Sequence, residues 1–338
     1  MKLLRQLIRL EITLIFLVIL AGSVVRMTGS GMGCPDWPKC FGHLIPPTRE
    51  SEVLWKPNFQ YEKGQIIVHE KQLLVAKEKF KSSGNFKKED FAPYTKHDYA
   101  IFNAYHTWIE YLNRLLGALS GLPMLIIFII CLFRIRKDIW SFVLAALGLF
   151  LLGFVAWLGK LVVDGNLIPH QISLHMFGAM GILATLMALL IKNQSRAILK
   201  REVRFAFLMP VLLILLLVQI FWGTEVREEI DGLYKHFSGE QRELWVGLLG
   251  QSFIIHRSIS WAVLALSLLF FLLNRRTLGF KAIWPLVFTF VSMLIGIGLA
   301  YKDMPKTLQP IHLVWAQIFF AWLFYFNLRI FGRRRKSF

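Results

Sequence analysis

Three histidines, His175, His256 and His312, stand in stretches otherwise apolar enough for a membrane interior. An acid, an amide and an arginine, Glu110, Asn113 and Arg114, share another such stretch, "YHTWIEYLNRLLGALSG". A polar or ionisable side chain inside a bilayer is costly, so it faces the protein interior and has a partner or a task. Neutral imidazole binds iron well, and two helices of a bundle can hold a haem between facing histidines. His256 and His312, on alternate spans at similar depth, suit that chemistry, and His175 takes the matching place in the first half; any one of them alone can also be a hydrogen-bonded packing residue. Arg257 follows His256 and Arg114 follows Asn113. A guanidinium there can bind a haem propionate bidentately or snorkel to lipid phosphates. Glu110 and Arg114 are also spaced to pair with each other at i, i+4. Cys34 and Cys40 flank "PDWPK", a spacing open to a disulfide staple or to a redox-active pair. His106 lies seven residues before Asn113, on the same helical face. His43, His69, His97, His170 and His236 read as solvated or locally bonded, and Cys131 as a small buried residue. With no Cys-x-x-Cys-His motif, a haem here is held without covalent links.

The elements that must position these residues are membrane helices. The chain is 56% hydrophobic and 18% charged. Windows of about 20 residues place spans near 9–27, 104–132, 139–160, 171–192, 205–223, 251–273, 280–300 and 309–330. The expected fold is an all-α polytopic membrane protein of eight transmembrane helices. The net charge of +18 would suggest nucleic acid in a soluble chain. Here the cations sort into short connectors, "RIRKD", "KNQSRAILKREVR" and "NRRTLGFK", and into the two ends, which predicts cytoplasmic termini and no nucleic-acid partner. The basic tail suits anionic lipid headgroups. The first apolar stretch has features of a signal peptide but is followed by Arg26 and a Gly/Cys/Pro loop, so it reads as a retained span.

Short motifs recur in order. "AGSVVR" ends the first span and "WGTEVR" the fifth, sharing Gly-hydroxyl-x-Val-Arg; "EYLNR" answers to "FIIHR", so Asn113 answers to His256; "GKLVVDG…SLH" answers to "GLAYKD…PIH", so His175 answers to His312. The repeat predicts two four-helix bundles, 1–195 and 196–338, with the site residues near the outer face. Segment 28–103 is the large outer loop. Its stretch 62–80 reads as an amphipathic or solvated helix, and the acidic loop 224–250 as a cap on the second bundle.

At "TGSGMGCPDWPKC", "EYLNR" and the ordered histidines the chain resembles the haem A synthase family. The resemblance covers nearly the whole chain. It implies a haem b held by His256 and His312 in the second bundle, and haem O as substrate in the first. It further implies oxidation of the haem O C8 methyl to a formyl group for terminal oxidases, in a bacterial cytoplasmic membrane, with molecular oxygen or water as oxygen source. Glu110, Arg114 and His175 match family positions, but Asn113 stands where the family commonly has histidine, and the loop 224–250 lacks a cysteine pair that some members carry. A substrate held by His175 alone keeps one open face, toward which Asn113 can donate a hydrogen bond and Glu110 a proton; these two are the expected catalytic residues. The partner classes implied are haem O synthase, terminal-oxidase assembly factors and a second copy of the chain, with the electron donor open. The competing readings are a b-type cytochrome passing electrons from quinol, a transporter and a structural assembly factor.

Overall fold

The computed structural model describes residues 2–95, 101–165, 170–194 and 203–331. The expected positions of His97, of most of the 192–204 connector and of the basic tail lie outside them. Helices α1 (Lys2–Thr28), α2 (Ala104–Leu132), α3 (Ile139–Gly165) and α4 (Gln171–Lys192) form the first half. In the second, α5 (Leu208–His236) leads through a short α6 (Arg242–Leu248) to α7 (Gln251–Leu278), α8 (Trp284–Tyr301) and α9 (Leu308–Phe331). Among the described residues, seven helical segments are long and apolar enough to cross a membrane, and the chain is a polytopic integral membrane protein. The longest, Gln251–Tyr301, runs 51 residues and is divided by a 3₁₀ turn at Gly279–Ile283 into α7 and α8, which pack on each other. At roughly 1.5 Å per residue it far exceeds a ~30 Å hydrocarbon core, so one straight crossing cannot hold it.

Helix α1 packs on α2 and α4, and α3 on α2 and α4; α5 packs on α7 and α9, and α8 on α7 and α9. The two sets meet where α9 touches α1 and α4, and where α4 touches α5. Many outward positions are large and apolar, including Leu122, Phe150, Trp261 and Phe290, the surface expected of helices that face lipid. Polar side chains instead bond across the seams: Ser173 to Thr224 at 2.7 Å, Ser267 to Thr289 at 3.1 Å, and Asn327 Nδ2 to the Met209 carbonyl at 3.3 Å.

The segment after α1 corrects the helical expectation for 62–80 and adds β-structure to a chain expected to be all-α. Strands β2 (Ile66–His69) and β3 (Gln72–Ala76) form an antiparallel hairpin, with β5 (Phe91–Pro93) on the other edge of β3. A second pair joins β1 (Gln60–Tyr61) to β4 (Phe80–Lys81). The hairpin turn is Glu70-Lys71, with φ of 48° and 61°, the two positive angles a twist-matched two-residue turn requires. Alternation does the rest: Ile66 and Leu73 pack with Cys34, Cys40 and Phe41, whereas Ile67 and Leu74 pack with Tyr61 and Phe91. A period of two with a small core on each face cannot be served by a helix.

The loop after α5 also begins later than expected, because α5 continues to His236. Trp245 of α6 is 1% exposed and packs with Val226, Ile230 and Met304, so this segment does cap the second set of helices.

Candidate functional site

The polar residues singled out in the sequence gather at the end of the helices that carries segment 28–103. Helix α2 starts there, capped by Asn103, whose side chain accepts from the amides of Tyr105 (3.0 Å) and His106 (3.3 Å). One turn on, Glu110 is buried and holds the cysteine loop. Its Oε2 accepts from the Cys34 amide at 2.9 Å and its Oε1 from Arg114 Nη2. Arg114 Nη1 donates to the carbonyls of Asp36 (2.6 Å) and Lys39 (3.0 Å), and Nη2 to that of Cys34 (3.3 Å). Cys34 and Cys40 form a disulfide, and each is 1% exposed. Glu110 and Arg114 thus pair with each other, and both reach the loop.

The rest of the loop is fitted to α2 as closely. A Cβ on Gly33 would come within 2.5 Å of the His106 carbonyl oxygen, which explains a glycine there. Thr107 Oγ1 donates to the Gly33 carbonyl at 2.8 Å. Asp36 Oδ2 accepts from the Gly42 amide at 2.9 Å; burial pushes the Asp36 carboxyl above its ordinary range, and that amide opposes the shift. His106 Nδ1 lies 2.8 Å from Ser30 Oγ, in a short chain that continues to Thr28 Oγ1 at 2.5 Å.

Deeper, four positions share one construction. A Cβ added to Gly22 of α1 would meet Asn113 Oδ1 at 3.6 Å, and one on Gly159 of α3 would meet His175 Cε1 at 3.8 Å. In the second half, a Cβ on Gly223 of α5 would meet His256 Cε1 at 3.0 Å, and one on Gly296 of α8 would meet His312 Cε1 at 3.8 Å. Each candidate ligand therefore faces a glycine on a neighbouring helix. Asn113 answers to His256 and His175 to His312, as in the sequence motifs.

The second-half pair fits a haem. The rings of His256 and His312 have centroids 6.3 Å apart. That is the separation two imidazoles would take on either side of one metal ion at metal–nitrogen distances of about 2 Å. His256 Nδ1 sits 3.0 Å from the Gln219 carbonyl, so it donates there and leaves Nε2 free of its proton for a metal. Gln219 Nε2 also donates to the His256 carbonyl at 2.9 Å, which fixes the two helices at that level. His312 Nδ1 is buried without a hydrogen-bond partner among the described residues, and so is Asn113 Oδ1. Buried polar atoms without a partner among the described residues suit a site that takes a ligand.

The remaining candidates lie apart. Arg257 is exposed, with its guanidinium 5.9 Å from the Phe253 ring centroid. His170 is exposed; its Nδ1 is 3.3 Å from Glu225 Oε1 and its amide donates to Glu228 Oε2 at 3.1 Å. His43 pairs by its backbone with Cys40, His69 stacks on Phe86, His236 meets Phe237 edge-on, and Cys131 is buried. The sequence reading missed a set around Arg26, Arg227, Asp231 and Gln309, although the repeated motif that ends in those arginines was its signal. Arg26 Nη1 donates to Asp231 Oδ2 at 2.9 Å. Arg227 donates through Nη2 to Asp231 Oδ1 and through Nη1 to Gln309 Oε1.

The chain is similar to several curated proteins. The chain is 27% identical over 215 residues to "Heme A synthase" of Shewanella oneidensis, which covers 62% of this chain and 52% of that one, so it spans about half the length of that relative. It is 25% identical over 335 residues to "Heme A synthase" of Flavobacterium johnsoniae, 90% of each chain, and 24% identical over 331 residues to that of Ehrlichia canis, 91% of this chain and 87% of the other. The family model for COX15-CtaA, cytochrome oxidase assembly protein, matches residues 5–86 and 55–324, and the chain belongs to that family.

Proposed function

We propose that this chain is an enzyme that oxidises the C8 methyl of haem O to the formyl group of haem A. The observation that carries the reading is the unequal pair of seats. In one half two imidazoles stand 6.3 Å apart by ring centroid, whereas in the other the matching positions, each beside a glycine, are an imidazole and an amide. Two histidines would saturate an iron and suit electron transfer, whereas one histidine and an amide leave a coordination position for chemistry. The names of the relatives support the same reaction.

The resident group would be a haem b, which His256 and His312 would hold and which would supply one-electron redox chemistry when bound. Gln219 orients His256. In the first half His175 would hold the substrate, and Asn113 would offer it an amide. Glu110 keeps the disulfide loop on α2 through the Cys34 amide and Arg114. Because Glu110 and Asn113 are three residues apart on one helix, loop position and amide position are tied together. Molecular oxygen or water is the oxygen source.

The architecture that goes with this function is eight crossings, in bundles spanning 1–195 and 196–338. The turn at 279–283 and the matched glycine pairs support it. Short basic connectors at the far end support a cytoplasmic side there, which puts the start of α1 and the end of α9 on the cytoplasmic side of a bacterial cytoplasmic membrane and the seats toward its outer face.

The test is expression together with a source of haem O, followed by pigment extraction. We expect haem A in the extract, with haem b bound to the protein, and no haem A from His175→Ala. Unchanged haem O beside a fully haem-loaded protein would leave only an electron-carrying cytochrome.

A further inference from the structure

The motif that ends α1 and recurs within α5 places an arginine one turn beyond each glycine: Gly22 and Arg26 on α1, Gly223 and Arg227 on α5. Residues four apart share a helix face and are separated by about 6 Å along the axis. Gly22 faces Asn113 and Gly223 faces His256. Each arginine therefore stands just above a seat, on the side of segment 28–103.

The two guanidiniums meet on a single carboxylate, Asp231. From there the contacts run both ways. On α1, Arg26 stands one turn beyond Gly22, which faces Asn113. Arg227 Nη1 donates to Gln309, which lies three residues before His312 on α9. Side-chain exposure is only 26% for Arg26, 19% for Arg227 and 17% for Asp231. Two cations share one anion in a poorly hydrated place, and Arg227 Nε is buried with no hydrogen-bond partner among the described residues. The neighbouring acids of α5, Glu225 and Glu228, accept from Ser173 Oγ and from the His170 amide. A buried guanidinium donor that no described residue satisfies calls for an acceptor.

A porphyrin seated on these glycine faces has two carboxylates on one edge, and that edge must point to the nearer polar boundary, where the arginines are. We infer that Arg26 and Arg227, joined by Asp231, form one carboxylate-binding bridge between the two seats. Arg227 takes a propionate of the haem between His256 and His312, and Arg26 a propionate of the haem at His175. The inference rests on the haem reading of both seats. It also gives Asp231 a role, that of a competitor which holds the guanidiniums until a propionate replaces it.

The experiment titrates the purified full-length chain, in detergent and free of haem, with iron protoporphyrin IX and with its dimethyl ester, followed by the absorbance of the bound haem. We expect Arg227→Gln to weaken the free-acid haem roughly tenfold or more, the usual scale of a lost charge-assisted bond. It should leave the ester unchanged, and the ester also reports that the variant is folded. Arg227→Lys should recover part of the loss. Asp231→Asn, which removes the competitor, should tighten the free-acid haem and not the ester. Equal losses for haem and ester would overturn the bridge in favour of a structural clasp or a lipid phosphate site, and so would no loss at all. Wild-type protein that binds neither compound would overturn the haem reading itself.

Discussion

At the scale of single residues, the site is defined as much by what is missing as by what is present. His256 can be oriented by Gln219 and still face a metal because residue 223 has no side chain. Gly223→Leu puts a branched chain where a Cβ alone would stand 3.0 Å from the imidazole. We expect that variant to accumulate in the membrane yet lose most of its haem b absorbance. Gly159→Ala, with a Cβ 3.8 Å from His175, should be tolerated. Spectra of the two variants purified side by side check this, since ordinary van der Waals contact begins near that longer distance. The histidines were legible in the sequence because an imidazole in an apolar span has few innocent explanations. The glycines were not, since a glycine in a membrane helix has many uses, and only the packing shows which one applies.

At the scale of elements, the disulfide loop is the piece most dependent on its neighbours. It is bound to α2 by Glu110, Arg114 and Thr107, and to the sheet through Phe41 and Ile66. His43 lies within it, and burial holds its pKa below the ordinary histidine value of about 6.5. A depressed histidine pKa means the unfolded loop binds the proton more readily. The stabilisation is therefore complete above about pH 6.5 and is lost as pH falls through the lower folded value. Amide protection factors in residues 34–43, taken after correction for the intrinsic pH dependence of exchange, should fall on acidification toward pH 5, and His43→Gln should flatten that response. The hairpin at 66–76 shows why a helical reading of the same stretch failed. Its lysines and glutamates imitate an amphipathic helix, whereas the alternation of Ile66, Ile67, Leu73 and Leu74 between two small cores is visible only once both cores exist.

At the scale of the whole molecule, orientation can be checked directly. Ser83→Cys, in the exposed part of segment 28–103, should react with an impermeant thiol reagent in intact cells; Arg136→Cys, in the connector between α2 and α3, should react only after the membrane is opened. The opposite pattern would invert the assignment of sides. The native cysteines do not interfere, because Cys34 and Cys40 are bonded and Cys131 is buried. That the chain is a polytopic membrane protein of long apolar helices, with polar residues set within them, was legible in the sequence alone. Bilayer thickness, the cost of buried charge and an ordered set of short motifs act locally along the chain. Only the tertiary structure decided that Glu110 and Arg114 clasp the cysteine loop, that stretch 62–80 pairs as strands, and that Arg26 and Arg227 meet on Asp231. Those outcomes depend on which side chain fills the space left by another far away in sequence, and no local pattern carries that information.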